Sequence, residues 1–186
     1  MSAPRSGWLA DLKRVDTAVY AAVATTPTET LDRALRGLSH AADYSRLSLT
    51  AAALLGAFGG SDGRHAAAMG LASVGVTSGV VNLVVKPLAT RRRPDREAQE
   101  VPFARQVRMP SSSSFPSGHS AAAFAFATGV GHTLPDVAGP LRVLAAVVAY
   151  SRLHTGVHYP GDVVAGALLG AILAQVTTHA LEAREG

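Results

Sequence analysis

The sequence predicts an all-α integral membrane bundle of about five transmembrane helices, preceded by an amphipathic N-terminal helical segment. Three observations carry that prediction. Hydrophobic residues make up 48% of the 186-residue chain and charged residues only 16%, where a soluble domain carries about 25%. His65–Val85 runs 21 residues and Val163–Leu181 runs 19 without a formal charge, each close to the length that crosses a hydrocarbon core. Gly, Ala and Ser are scattered through these stretches, as expected where membrane helices approach closely.

No secretory signal is expected at the start, because residues 1–16 alternate charged and apolar groups. Trp8, Leu12, Val15, Val19 and Val23 fall on one helical face, with Asp11, Lys13, Arg14 and Asp16 between them. That pattern fits a helix lying at a membrane interface, and equally one packed on its own protein. A second helix is expected to start at Thr26 as N-cap, with Pro27 in the first position and Glu29 closing a capping box. Leu31, Ala34, Leu35 and Leu38 would be its apolar face. Residues 1–42 are thus expected as interfacial amphipathic helices. Residues 43–181 would form the transmembrane core, with crossings at about 43–61, 65–87, 117–135, 138–153 and 161–181. The whole of 1–186 reads as one domain. The polar loop 86–117 between the second and third crossings is long enough to suggest a functional role.

Composition excludes several classes. The hydrophobicity is too high for disorder. The absence of cysteine removes disulfides, thiolate metal sites and a cysteine nucleophile. The net charge of +4 invites nucleic acid or an anionic membrane. Its arginines adjoin helix ends without aromatic neighbours, so nucleic acid is not expected as a partner.

Three segments bear the chemistry, and the helix count brings them to one end of the bundle. The first runs from Lys86 through Arg91, Arg92 and Arg93 to Pro94. It reads as an interfacial anchor or as an anion clamp. The second is Pro116-Ser117-Gly118-His119, a turn that also presents backbone N–H groups at a helix start, where anions bind. The third holds Ser151, Arg152, His154, His158 and Asp162. His158 and Asp162 are four apart, so one helical turn can set the carboxylate against the imidazole. His154 and His158 share that spacing, but no HExxH pattern accompanies them, and no metal is expected. Together the segments supply histidines, a carboxylate and several cations, an inventory for phosphoryl transfer. A non-enzymatic module holding anionic lipid would use the cations but not His119 or the His158–Asp162 pair.

In order and internal spacing, these segments resemble the three-part signature of the type-2 phosphatidic acid phosphatase family, membrane lipid phosphatases. The resemblance covers residues 86–162. It implies His158 as nucleophile forming a phosphohistidine, Asp162 orienting it, and His119 as the acid and then the base. It implies Lys86, Arg93 and Arg152 as phosphate ligands, with hydrogen bonds from Ser117 and the Gly118 N–H. Ser151 belongs to the signature with a less definite role. Arg91, Arg92 and His154 lie outside it and receive none. No cofactor is implied.

Many bacterial members have six crossings; here segment 7–41 stands in place of the first. With five, 14 of the 17 Arg and Lys residues fall on the active-site side. The positive-inside rule then puts the site at the cytoplasmic face of a bacterial inner membrane, unlike the family's outward-facing undecaprenyl-pyrophosphate phosphatases. The expected substrate is a lipid phosphomonoester or pyrophosphate. The Ala- and Arg-rich, Lys-poor composition suggests a high-GC bacterium, and a cytoplasm-facing member there resembles the phosphatase step that removes the 5-phosphate from decaprenylphosphoryl phosphoribose. Polyprenyl pyrophosphate, phosphatidic acid and phosphatidylglycerol phosphate are the alternatives.

Overall fold

A computed structural model describes residues 7–185; Met1–Ser6 of the predicted N-terminal segment, and Gly186, lie outside the described residues. All regular structure in it is helical. The eight α-helices are α1 (Trp8–Thr25), α2 (Glu29–Ala41), α3 (Arg46–Phe58), α4 (Gly60–Gly79), the single turn α5 (Lys86–Leu88), α6 (Gly118–Thr133), α7 (Pro135–His154) and α8 (Pro160–Glu185). A π-helical stretch, Val80–Val85, joins α4 to α5 without a break.

The five predicted crossings correspond to α3, α4 with its extension, α6, α7 and α8. Two of these are long and apolar enough to cross a membrane by length and composition, Gly60–Leu88 and Pro160–Arg184. The first predicted crossing, 43–61, is shorter than expected. The 13 residues of α3 rise only about 20 Å, because its start is delayed by a 3₁₀ turn, Asp43–Ser45.

Helix α6 is the hub, packed against α4, α7 and α8. Small residues make that possible. A Cβ on Gly170 of α8 would collide with the Ala121 carbonyl oxygen of α6, and one on Gly129 of α6 would sit 2.8 Å from the Met69 carbonyl oxygen of α4. At both crossings, backbone meets backbone. Between them, Ala66, Val74, Phe126 and Val130 form a buried core.

The N-terminal helices bury only part of their surface. Along α1, Trp8, Leu12, Val15 and Val19 are exposed, while Tyr20 and Ala24 are buried. Helix α2 begins at Glu29 with Thr28, not Thr26, at its N-cap. Pro27 holds Thr26 in extended backbone, and the Thr26 hydroxyl turns back to the Ala22 carbonyl at 2.6 Å. The buried face of α2 is Asp32, Leu35 and Ser39, with Leu31 exposed. Two of those three residues are polar because they face polar partners.

Those partners form a buried network. Arg105, from the loop before α6, is 1% exposed. Its Nε donates to Asp32 Oδ1 at 2.8 Å. Its other nitrogens donate to the carbonyls of Val23, Ala24 and Thr26. His154 Nε2 meets the same Asp32 oxygen at 3.0 Å, and Thr28 donates to it at 2.9 Å. One guanidinium thus caps the end of α1 while its carboxylate partner ties α2 to α7.

Removing one member of a buried ion pair strands the other charge, at about 3–5 kcal/mol. Arg105→Leu and Asp32→Leu should each lower the unfolding midpoint in detergent strongly. The double variant should be less destabilised than the sum of the two. Full additivity would mean that the pair is not coupled.

Candidate active site

Asp162 lies in the first turn of α8 and is fully buried. Burial obliges its carboxylate to be paired and hydrogen-bonded. Oδ1 accepts from Arg91 Nη1 at 2.9 Å. Oδ2 accepts from the Ser114 hydroxyl at 2.5 Å and the Tyr159 N–H at 3.0 Å. His158 Nδ1 lies 3.6 Å from Oδ2, so the predicted i, i+4 pair is formed.

His158 is 2% exposed, in the short connection between α7 and α8. Its outer nitrogen, Nε2, lies 3.3 Å from Arg93 Nη1. Burial pushes the imidazole down to about 4, against the upward pull of the neighbouring Asp162 carboxylate. It therefore stands neutral at physiological pH, the form with a nucleophilic lone pair.

Arg93 is held in a cradle of carbonyl groups. Nε donates to Ser112 O at 3.0 Å, Nη1 to Val157 O at 2.9 Å and Nη2 to Ser113 O at 3.2 Å. Lys86 emerges just after the π-helical stretch, with Nζ 3.5 Å from the Ser112 hydroxyl. A π-bulge widens the helix and re-aims the residues beyond it, a feature frequent at functional sites. Arg152 is buried, donates to Ser39 of α2, and leaves its Nε without a partner.

The start of α6 completes the group. The Gly118 and His119 N–H groups take no acceptor among the described residues. A Cβ built on Gly118 would stand 3.4 Å from Lys86 Nζ. His119 Nε2 pairs with Asp43 Oδ1 at 2.9 Å. His119 and Arg152 both line a cavity of about 430 Å³ with Asp43, Arg108 and Ser112.

Two signature serines have their hydroxyls engaged at the helices that carry them. Ser117 is the N-cap of α6: its hydroxyl accepts from Ser120, and its N–H donates to the Asp162 carbonyl at 2.9 Å. Ser151 donates to the Val148 carbonyl inside α7. Both are buried and spend their hydrogen bonds on helix geometry. His154 belongs to the Arg105 network rather than beside His158.

The structure adds residues that motif reading passed over. Arg91 bridges Asp162 to Asp16 of α1, and stacks its guanidinium 4.3 Å from the Tyr159 ring centroid. Asp16 also accepts from the Gly161 N–H at 2.6 Å. The arginine run and the serine run 111–114 were visible signals for Arg91 and Ser114. Asp16 and Asp43 lie far from the motifs in sequence and gave none.

The PAP2 superfamily profile matches residues 66–185. Over 145 residues the chain is 35% identical to the decaprenylphosphoryl-5-phosphoribose phosphatase of Mycobacterium tuberculosis, covering 76% of this chain and 75% of that protein. An undecaprenyl-diphosphatase of Sulfolobus acidocaldarius is 43% identical over 63 residues, 33% of this chain and 31% of its own. The crystal structure of a PAP2-type phosphatidylglycerolphosphate phosphatase from Bacillus subtilis superposes with a TM-score of 0.68 at 28% identity, covering 92% of this chain and 87% of its own. Aquifex aeolicus LpxE shares the fold, with a TM-score of 0.72 at 22% identity over 88% of this chain and 94% of its own. The chain belongs to the PAP2 superfamily.

A depressed His158 pKa means the ring stays neutral below the ordinary histidine value of about 6.5. Ring-labelled histidine NMR should show the signal lost in His158→Gln still neutral at pH 5.5. Protonation near pH 6.5 would show that burial does not govern this ring.

Proposed function

We propose that this PAP2 chain is a lipid phosphate phosphatase that needs no metal and works through a phosphohistidine. The observation that carries the reading is the buried His158–Asp162 pair, with Arg93 beside the ring's outer nitrogen. His158 Nε2 attacks phosphorus, the bond to the leaving oxygen breaks, and His119 gives that oxygen a proton. Water then attacks the phosphohistidine and yields its proton to His119, and the P–N electron pair returns to His158. Lys86, Arg93 and Arg152 carry the charge compensation that a metal would otherwise supply. The Gly118 N–H, at the positive end of α6, is free to donate to a phosphate oxygen. Ser117 and Ser151 act through the helices they shape.

The favoured substrate is decaprenylphosphoryl-5-phosphoribose, with loss of the 5-phosphate, a step of cell-wall arabinan precursor synthesis. It rests on the mycobacterial relative, matched over three quarters of both chains. The short stretch shared with the archaeal relative supports a diphosphate as the second reading. A route for the lipid chain supports either. A second cavity of about 270 Å³ shares Tyr44 and His119 with the polar one and runs past Leu47, Ala122 and Val148. An apolar recess lined by Phe126, Leu141 and Leu144 continues from it. The exposed stripe Trp8, Leu12 and Val15 suits α1 to the membrane interface.

We place the chain in the inner membrane, with five crossings and its site on the cytoplasmic side. Outside Lys86, Arg93 and Arg152, Arg and Lys still divide 11 to 3 in favour of that side.

Two experiments test this reading. Purified protein should release phosphate from decaprenylphosphoryl phosphoribose in EDTA, be inhibited by orthovanadate, and yield acid-labile, base-stable phosphate on quenching, absent from His158→Ala. Label that survives His158→Ala and vanishes with His119→Ala would reverse the two roles. A panel of undecaprenyl diphosphate, phosphatidic acid and phosphatidylglycerol phosphate ranks the substrates; release from none of the panel would favour a lipid-binding module. For sidedness, a single cysteine in 97–107 should resist an impermeant thiol reagent in intact cells. Ready labelling there, with a cysteine at residue 62 protected, would invert the topology.

A further inference from the structure

We infer that Asp43 is the positioning residue of the acid–base histidine, making a second His–carboxylate pair across the site from His158–Asp162. The inference rests on the role proposed for His119. The Asp43 carboxylate sits in the wall of the cavity that Arg152 lines. A negative charge there opposes the binding of a phosphate, so its presence calls for a compensating use. That use is visible in the geometry. Oδ1 lies 2.9 Å from His119 Nε2, and Oδ2 lies 3.5 Å from His40 Nδ1.

The backbone supports the same reading. Asp43 opens the 3₁₀ turn between α2 and α3, and the next two residues, Tyr44 and Ser45, have φ of 56° and 57°. Left-handed conformations are costly for residues with a Cβ and persist where the surroundings enforce them. Here they let the chain reverse tightly and bring the carboxylate over the start of α6. The sequence separation of 76 residues makes this a tertiary contact, not a local one.

The chemistry is set by the tautomer. A carboxylate on Nε2 keeps the proton there, so Nδ1 is the nitrogen that exchanges a proton with the site. In the first step Nδ1–H gives its proton to the leaving alkoxide. In the second, neutral Nδ1 takes one from the attacking water. The Asp43 carboxylate stabilises the imidazolium that exists before the first step and after the second, as the acid of a hydrolase triad does.

The test uses leaving groups. An alkoxide needs a proton to depart and nitrophenolate does not. Asp43→Asn should slow hydrolysis of a lipid phosphate about 10²-fold or more. It should slow the phosphohistidine burst from nitrophenyl phosphate far less. Phosphohistidine should then accumulate, because water is no longer deprotonated efficiently. His119→Ala should show the same discrimination, and adding Asp43→Asn to it should cost little more. Asp43→Glu, which keeps a carboxylate, should recover part of the lipid phosphate rate and guards against a folding defect in the amide variant. Equal losses for both substrates in Asp43→Asn, or a fully additive double variant, would overturn the role of Asp43 while a discriminating His119→Ala preserved the acid assignment. If His119→Ala itself fails to discriminate, the acid assignment falls and the role of Asp43 falls with it.

Discussion

The site is organised around one buried carboxylate. Asp162 is removed from water, so its charge must be met entirely by protein. Its donors come from the arginine run and serine run of the polar loop and from the α7–α8 connection, and the His158 imidazole lies against it. Satisfying that carboxylate therefore closes the polar loop 86–117 over the helix ends. The loop in turn places Arg93, whose cradle of Ser112, Ser113 and Val157 carbonyls sets its guanidinium beside His158. His158, Asp162 and Arg93 are thus held together as one polar cluster.

The N-terminal helices act as a buttress for that unit. Asp16 of α1 holds Arg91 and the Gly161 N–H, so it braces Asp162 from behind. Ser39 of α2 receives Arg152. Tyr20 donates to the Gly156 carbonyl at 3.3 Å, in the turn that leads to His158. Gly156 has φ of 72°, a conformation that glycine adopts without the cost a Cβ imposes. The segment thus faces two ways: its polar face braces the loops around His158 and Asp162, and much of its apolar face is exposed.

This division explains what the sequence disclosed. Apolar runs with regular spacing report burial against lipid or protein alike, so α4, α6, α7 and α8 were legible to within a few residues. The i, i+4 spacing of His158 and Asp162 was legible because the two are close in sequence, although the bend before α8, not a helical turn, brings them together. Asp16, Asp43 and Ser39 were not, because each meets its partner across a long stretch of chain. An isolated acidic or hydroxyl residue on an amphipathic helix looks the same whether it faces water or a buried arginine. The start of α2 misled for a related reason. Thr26-Pro27 carries a cap signature, yet the Thr26 carbonyl is needed to receive Arg105. Ser117 and Ser151 show the converse. Their place in a functional signature was plain, while their hydroxyls serve helix ends and helix interiors.

The balance of charge decides what the site can hold. Arg152 lines the polar cavity and Lys86 the second one, while Lys86 and Arg93 share a surface recess with Ser112 and Ser113. Asp162 is committed to Arg91, Ser114 and His158, and Asp43 to His119 and His40. Arg93 is satisfied by neutral carbonyl groups, and Arg152 by a hydroxyl, with its Nε unpartnered. Among the described residues these cations thus form no ion pair with a carboxylate. Holding like charges together in a half-buried site is unfavourable, and a phosphate dianion with several acceptor oxygens relieves that repulsion. The spreading negative charge of a phosphoryl group in transfer relieves it further. The protein supplies this arrangement in advance, through carbonyl cradles and helix ends that need no movement when the anion arrives. The apolar recess beyond His119 explains why the anion would come attached to a lipid. The cationic cluster ends where the hydrocarbon-like lining of α3, α6 and α7 begins.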